Sequence, residues 1–272
     1  MGDLTPFAPW LARWDLTPDG EPFQTRYARN WLLPVLQRDA PAMLKIAASQ
    51  EEIDGAAVMA WWAGGGAARV LAFERDALLL ERLPARRSLV AMAQSGLDED
   101  ALRILCVVAD DLHAPRETPP PPSLRPLDRW LRALAPAARA HGGVLNASLE
   151  VANSLLVDPC GVAVLHGDLH HENVLDGGDR GWLVIDPKGV LGERGYDYAA
   201  MLCNPHETGG PKPGRIPRQV AVVAAMARLE PRRLLQWLLA HAGASAAWCM
   251  ADGFDPGPAL ATAEVARQAL SA

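Results

Sequence analysis

Asp168 stands among three histidines in the stretch VLHGDLHHENVL (residues 164–175), and Asn173 follows it five positions later. Two chemistries compete for such a stretch. His166 and His170 are four apart, the spacing that sets two imidazoles on one helix face for zinc. Against zinc, Gly167 lies between them, no glutamate stands beside the first histidine, a β-type run precedes, and His206 and His241 stand alone as third ligands. The other chemistry uses oxygen donors. Downstream, WLVIDPKG (182–189) supplies Asp186. A strand at 174–175, a glycine turn over 176–181 and a strand over 182–185 would form a hairpin with Asn173 at one end and Asp186 at the other. An amide oxygen beside a carboxylate suits Mg²⁺, a hard ion that takes a few protein oxygens plus substrate phosphates. Asp168 could then accept a hydroxyl proton without binding the metal, the division of labour found in phosphoryl transfer.

The elements that must position these groups fall into two kinds. Short apolar runs at 31–36, 42–47, 68–73 and 77–83 are separated by turn residues and are expected to be strands. Lys45 lies inside one of them, between AML and IA. A lysine in a strand buried on both sides needs an anionic partner. One helix is expected after Ser49, over QEEIDGAAVMAWW, with Ile53, Ala57, Val58 and Trp61 on one face and the glycines of WAGGGAARV as its stop. Those glycines are not a phosphate loop, which needs a strand before it and a helix after it, the reverse of the order here. Beyond about residue 85 the character becomes helical: residues 123–141 carry Leu124, Leu127, Leu131 and Leu134 at spacings of three and four, and further helices are expected around 146–156, 215–229, 231–242 and 258–270. TPPPPS (118–123) is expected to be a stiff connector. The expected fold is α+β and bilobal, a small antiparallel-sheet lobe over residues 1–83 and a larger, mostly helical lobe over 84–272, with LLLERLP at the cleft between them. The histidines at 113, 141, 206 and 241 are expected at the surface or at helix ends.

Composition narrows the function classes. A net charge of −6 and a pI near 5.6 argue against a nucleic-acid partner, which needs a concentrated basic face. Four dispersed cysteines without a CxxC pair suit a reducing compartment. No run approaches the ~18 apolar residues of a membrane helix, and the first residues lack the basic start and apolar run of a signal peptide. A cytoplasmic protein without membrane partners, a monomer or weak homodimer, is the expectation.

HGDLHHEN has the spacing of the catalytic loop of protein-kinase-like enzymes, with Gly167 where protein kinases carry arginine, and VIDPKG stands where they carry DFG. Together with LLPV, PAMLKIA, GAAVMAWWAGGGAARVLAFERDALLLERL and IDPKGVLGERGYDYAAMLCNP, the chain resembles the streptomycin 6-kinase and hydroxyurea phosphotransferase family, within the protein-kinase-like superfamily, from about Trp14 to Pro205. The resemblance implies an ATP- and Mg²⁺-dependent phosphotransferase acting on a hydroxylated small molecule. It implies Asp168 as catalytic base, Asn173 and Asp186 as Mg²⁺ ligands, and Lys45 on the α- and β-phosphates. Glu52 would orient Lys45, with Glu51 as the alternative because Ser49 and Glu52 also fit a capping box. Glu81 and Leu83 would offer backbone groups to adenine. Asp197 would support the catalytic loop and His166 would brace it.

One departure stands out. The segment expected to cover the phosphates, residues 25–30, has no glycine, so its hydroxyl and amide side chains, or Arg26 and Arg29, would have to grip them. The acceptor is open on the residues. A streptomycin-like acceptor carries guanidinium groups and should meet carboxylates, for which Glu193, Glu207 and the Asp110–Asp111 pair are candidates. Hydroxyurea needs no such charge, an endogenous sugar or amino alcohol is equally open, and a nucleotide-binding protein without turnover is the other class.

Overall fold

The computed structural model describes residues 3–25, 28–205 and 211–271. Helix α1 (Ala8–Arg13) leads into β1 (Leu16–Pro18), β2 (Phe23–Gln24), β3 (Trp31–Gln37) and β4 (Ala40–Ile46). Helix α2 (Gln50–Trp62) follows, then β5 (Val70–Glu74) and β6 (Ala77–Glu81). The six strands form one antiparallel sheet in the order β1-β3-β4-β6-β5, with β2 also paired to β3. Period-two alternation sorts its side chains. Leu33, Val35, Ala42, Leu44, Ile46, Ala77 and Leu79 pack with Phe7 and Trp10 of the α1 region into a small core. The alternate residues Leu32, Met43, Lys45, Leu78 and Leu80 face the cleft. Lys45 sits opposite Leu32 on one neighbour and Leu78 on the other, in the middle of the sheet.

Helix α2 has the expected bounds but not the expected face. Glu52, Asp54, Gly55, Ala56, Val58, Met59 and Trp62 are buried, while Ile53, Ala57 and Trp61 are half-buried. The helix is covered on two sides, and its Ala56, Val58, Met59 and Trp62 join the large core of the helical region rather than the small core of the sheet. An amphipathic pattern assumes one buried stripe, so the rotation was invisible to it. Ser49 caps α2 without a side-chain hydrogen bond, so the capping box does not form. The glycine turn after α2 leads into β5, as expected, and ties down a hairpin downstream through Val184 N–H to the Gly66 carbonyl (3.0 Å) and Ala68 N–H to that of Val184 (3.0 Å).

The remainder comprises α3 (Leu89–Gln94), α4 (Asp98–His113), β7 (Arg125–Pro126), α5 (Leu127–Trp130), α6 (Leu134–His141), α7 (Val144–Val157), β8 (Val162–Leu165), β9 (Val174–Asp176), β10 (Trp182–Val184), β11 (Val190–Glu193), α8 (Gly195–Leu202), α9 (Arg215–Ala227), α10 (Pro231–Asp252) and α11 (Gly257–Ser271). The helix expected over 123–141 is broken: Arg125 and Pro126 pair with β11, and α5 and α6 are separated by a 3₁₀ turn. Pro126 and Pro136 lack the N–H that a continuous helix requires. Strands β9 and β10 form the expected hairpin, and a three-stranded sheet β7-β11-β8 lies beside it. Among the described residues, no helix is long and apolar enough to cross a membrane.

Candidate active site

The loop between β8 and β9 carries Asp168, and its shape is set from below. Asp197, at the start of α8 and fully buried, accepts the backbone N–H groups of His166 and Gly167, both at 2.8 Å. His113 adds a third bond to the same carboxylate at 2.9 Å. Burial works to raise the Asp197 carboxyl, but these donors outweigh it and hold it below its usual range. His113 stands at the C-terminal end of α4, as expected, with its side chain turned under the loop, whereas His241, expected at a surface or helix end, is buried in the middle of α10. His141 is exposed at the end of α6, and His206 lies outside the described residues.

His166 is also buried. Its Nε2 donates to the Ile185 carbonyl (2.9 Å) and its Nδ1 accepts the Asp168 N–H (3.2 Å). Burial drives its pKa down, consistent with a neutral ring. With both nitrogens engaged it has none for zinc, and among the described residues no group of three or more His, Cys, Asp or Glu could hold a metal. Gly167 has φ +83°, and a Cβ there would lie 2.9 Å from Val190 and 3.1 Å from the Lys188 Cβ. Glycine is therefore required where protein kinases carry arginine.

Asp168 has 40 % of its side chain exposed, enough for a substrate to reach it. Desolvation would raise its pKa, but the charges of His170 and Lys188, with the hydrogen bond from His170, prevail and keep it ionised. His170 stands 3.5 Å away, and despite the opposing effect of burial its own pKa is raised by that carboxylate. Asn173 donates to the Asp168 carbonyl (2.8 Å), which fixes the span of the loop and leaves Asn173 Oδ1 as the end that can meet a metal. The hairpin does bring Asn173 and Asp186 together: Ile185 N–H donates to the Asn173 carbonyl (2.9 Å) and both side chains border one cleft. Asp186 has φ +61°, a left-handed conformation that a short polar residue tolerates.

Four charges close into a ring here. Lys45 is ion-paired with Glu52 Oε2 and Asp186 Oδ1, while Lys188 bonds Glu52 Oε1 (2.7 Å) and Asp186 Oδ2 (3.0 Å). Each carboxylate oxygen holds one ammonium, and the ring is neutral. Glu52, only 2 % exposed, is thus the acid beside Lys45. Glu51 pairs instead with Arg125 at 3.3 Å. Burial of the Asp186 carboxyl opposes ionisation, but the two lysines hold its pKa far below the ordinary value. Lys188, for the same reason reversed, is held charged.

The cleft has a volume of about 440 Å³. Leu32, Met43, Met59, Leu78, Leu80, Leu175 and Ile185 make its apolar walls, and Leu83 lies at its rim. The Glu81 side chain points elsewhere, pairing with Arg180 and accepting the Arg69 N–H (2.7 Å). The glycine-free segment 25–30 brings Thr25 and Asn30 to the cleft lining, but both amide atoms of Asn30 are already engaged. Asn30 is 1 % exposed and turned inward: it donates to Glu52 (2.8 Å) and accepts the Ala48 N–H (3.0 Å). Thr25 borders the cleft, and Arg26 lies outside the described residues.

Of the acids considered for an acceptor, Glu193 is consumed by Arg233 at 2.6 and 2.7 Å. Asp110 and Asp111 are exposed on α4 and do not line the cleft, and Glu207 lies outside the described residues. Farther along, Glu230 and Asp255 bond backbone N–H groups at the starts of α10 and α11, and Glu264 pairs with Arg267.

Sequence reasoning missed Lys188, although it lies in the quoted VIDPKG, and it missed Gly55. The signal for Lys188 was arithmetic: a buried Glu52 and a half-buried Asp186 with one lysine leave a charge uncompensated. Gly55 gives none in the sequence. A Cβ on it would lie 1.8 Å from the Pro187 carbonyl oxygen, so α2 touches the segment after Asp186 backbone to backbone.

A sheet-built lobe over a helical one, with Lys45, Asp168, Asn173 and Asp186 around one cleft, defines a phosphotransferase fold of the protein-kinase-like class. Solved structures share it: a microcompartment-associated aminopropanol kinase (TM-score 0.68, 14 % identity, covering 99 % of this chain and 98 % of that one) and the Streptomyces rimosus aminoglycoside phosphotransferase APH(3'')-Id, in complex with ADP and streptomycin (0.60, 18 %, 88 % and 97 %). Residues 13–253 match the model of the aminoglycoside/hydroxyurea antibiotic resistance kinase family, and the chain belongs to it. It is 48 % identical to the streptomycin 3''-kinase of Klebsiella pneumoniae over 89 % of this chain and 92 % of that protein. It is 31 % identical to the hydroxyurea phosphotransferase of Kitasatospora aureofaciens, over 90 % and 73 %. It is therefore a nucleotide-using small-molecule kinase with an alcohol acceptor.

Proposed function

We propose that the protein transfers the γ-phosphoryl group of Mg·ATP to the 3''-hydroxyl of streptomycin. The chemistry rests on one observation: an ionised, accessible Asp168 within hydrogen-bond reach of Asn173, which itself flanks Asp186 at the mouth of an apolar cleft. The acceptor and its position rest on the 48 % identity to a streptomycin 3''-kinase.

In this reading residues 1–83 supply the nucleotide side of the cleft and residues 84–272 the catalytic side. Leucine and methionine walls hold adenine, with the backbone at Glu81 and Leu83 reading its edge. Lys45, oriented by Glu52, holds the α- and β-phosphates. Asn173 Oδ1 and the Asp186 carboxylate are hard oxygen donors that fit Mg²⁺, and the scarcity of further protein ligands suits an ion that keeps phosphate and water oxygens. Bound there, Mg²⁺ supplies neutralisation of the charge on the transferring phosphate. Asp168 orients the acceptor hydroxyl and takes its proton. His166 and Asp197 keep the loop in place from the buried side.

The test is incubation of the purified protein with Mg·ATP and, separately, streptomycin, hydroxyurea and amino alcohols, with products mapped by phosphorus NMR and mass spectrometry. Phosphate on the 3''-hydroxyl of streptomycin is expected. Consumption of hydroxyurea or an amino alcohol with streptomycin left intact would sink the acceptor assignment.

A further inference from the structure

Lys188 is charged, buried and held by two acids, yet none of the roles assigned above uses it. Its partners are the ones Lys45 uses, so each Asp186 oxygen carries one ammonium. A divalent cation held by Asp186 would compete with both ammoniums for that carboxylate. Each lysine has its own Glu52 oxygen as a second anchor. What each then faces depends on its side of Asp186.

Lys45 rises from the sheet and borders the nucleotide cleft. Lys188 does not border it. Its backbone N–H donates to the His166 carbonyl (2.7 Å), and its stem packs at the Gly167 position, where a Cβ would lie 3.1 Å away. Its ammonium is close enough to Asp168 for each charge to act on the other. Lys188 is thus anchored to the catalytic loop by its backbone and to the metal-side carboxylate by its ammonium.

We propose that Lys188 is a second phosphate-binding lysine, serving the γ-phosphoryl group as it passes to the acceptor, whereas Lys45 serves the phosphates that stay on the nucleotide. This rests on the kinase reading of the site. In that step the bond between Pγ and the β–γ bridging oxygen breaks, and its electron pair stays with ADP. A bond forms between Pγ and the acceptor oxygen, whose proton goes to Asp168. Negative charge is spread over the three outer oxygens of the moving group, and a fixed ammonium there acts where the charge develops.

The test compares Lys188→Met, Lys188→Arg, Lys45→Met and Asp168→Asn by three readouts: kcat for transfer, Mg·ADP affinity by calorimetry, and melting temperature of the empty protein. Lys188→Met is expected to lose about 10²- to 10³-fold in kcat, with Mg·ADP affinity within about threefold of wild type. Lys188→Arg keeps the charge and is expected roughly tenfold below wild type. Lys45→Met is expected to lose Mg·ADP affinity. A Lys188→Met enzyme within tenfold of wild-type kcat, or one that loses Mg·ADP as Lys45→Met does, overturns the proposal and leaves Lys188 a structural counter-charge. If the Met variant does not stay folded, the Arg variant decides, and wild-type kcat in it overturns the proposal. Turnover retained in Asp168→Asn would strike the kinase reading instead, a result separable from any outcome at Lys188.

Discussion

The floor and the walls of the cleft are built on opposite principles. The floor rests on a closed circuit of charge in which Lys45, Glu52, Lys188 and Asp186 each depend on two others. Of the four only Lys45 and Asp186 border the cleft, and Asp168 beside it is tuned by neighbours it does not all touch. The walls are leucine, isoleucine and methionine side chains that contribute area and exclude water. A wall residue acts alone, so trimming it costs affinity in proportion to the surface lost. A floor residue acts as part of a set, and removing one strands the rest.

The sharpest way to break this contrast is at Asp168. Asp168→Asn should lower kcat by about 10³- to 10⁴-fold while calorimetry shows Mg·ADP bound as before. Next comes Gly55→Ala. Taken alone, the helix should gain about 1 kcal/mol from alanine, but the new Cβ meets the Pro187 carbonyl and must push α2 away from Asp186. Activity is expected to fall by about 10²-fold, and an active, more thermostable variant would show that the contact is dispensable.

Beneath the floor, His171 is 2 % exposed, and neither ring nitrogen has a hydrogen-bond partner among the described residues. Burial pushes its pKa down to about 4 from an ordinary 6.5, with His170 adding to the effect. The unfolded chain therefore takes up this proton first as pH falls, and stability drops between about pH 6.5 and 4. His171→Met should remove that loss, at most about 3 kcal/mol, as read from melts across the range. The smallest effect is expected on a wall: Leu175→Ala should weaken Mg·ADP about three- to tenfold and leave kcat within about twofold. A kcat loss matching that of a floor variant would erase the distinction.

What could be read in the sequence follows the same line. Asp168, Asn173, Asp186 and Lys45 were legible because each is a chemical group that its surroundings do not otherwise justify. The β9–β10 hairpin was legible because its turn is rich in glycine. The β7-β11-β8 sheet was not, since strands of two to four residues are too short to show alternation. His113 reads as a helix-end histidine and is one, but α4 ends against Asp197, 84 residues away in sequence. Asn30 reads as a phosphate-facing amide and does line the cleft, but its amide is held by Glu52 and the Ala48 N–H. Partners distant in the chain decide such residues, and a single sequence does not display them.

The seat of α2 on the segment after Asp186 has a regulatory consequence. Side chains that separate two elements can change rotamer and let one slide, but two backbones in contact cannot. With Arg125 also joining α2 to β7 through Glu51, the helix that orients Lys45 is tied to the loops that carry the metal-side groups. Swinging that helix out would open the contact at Gly55, break the Glu51–Arg125 pair and part Lys45 from Glu52.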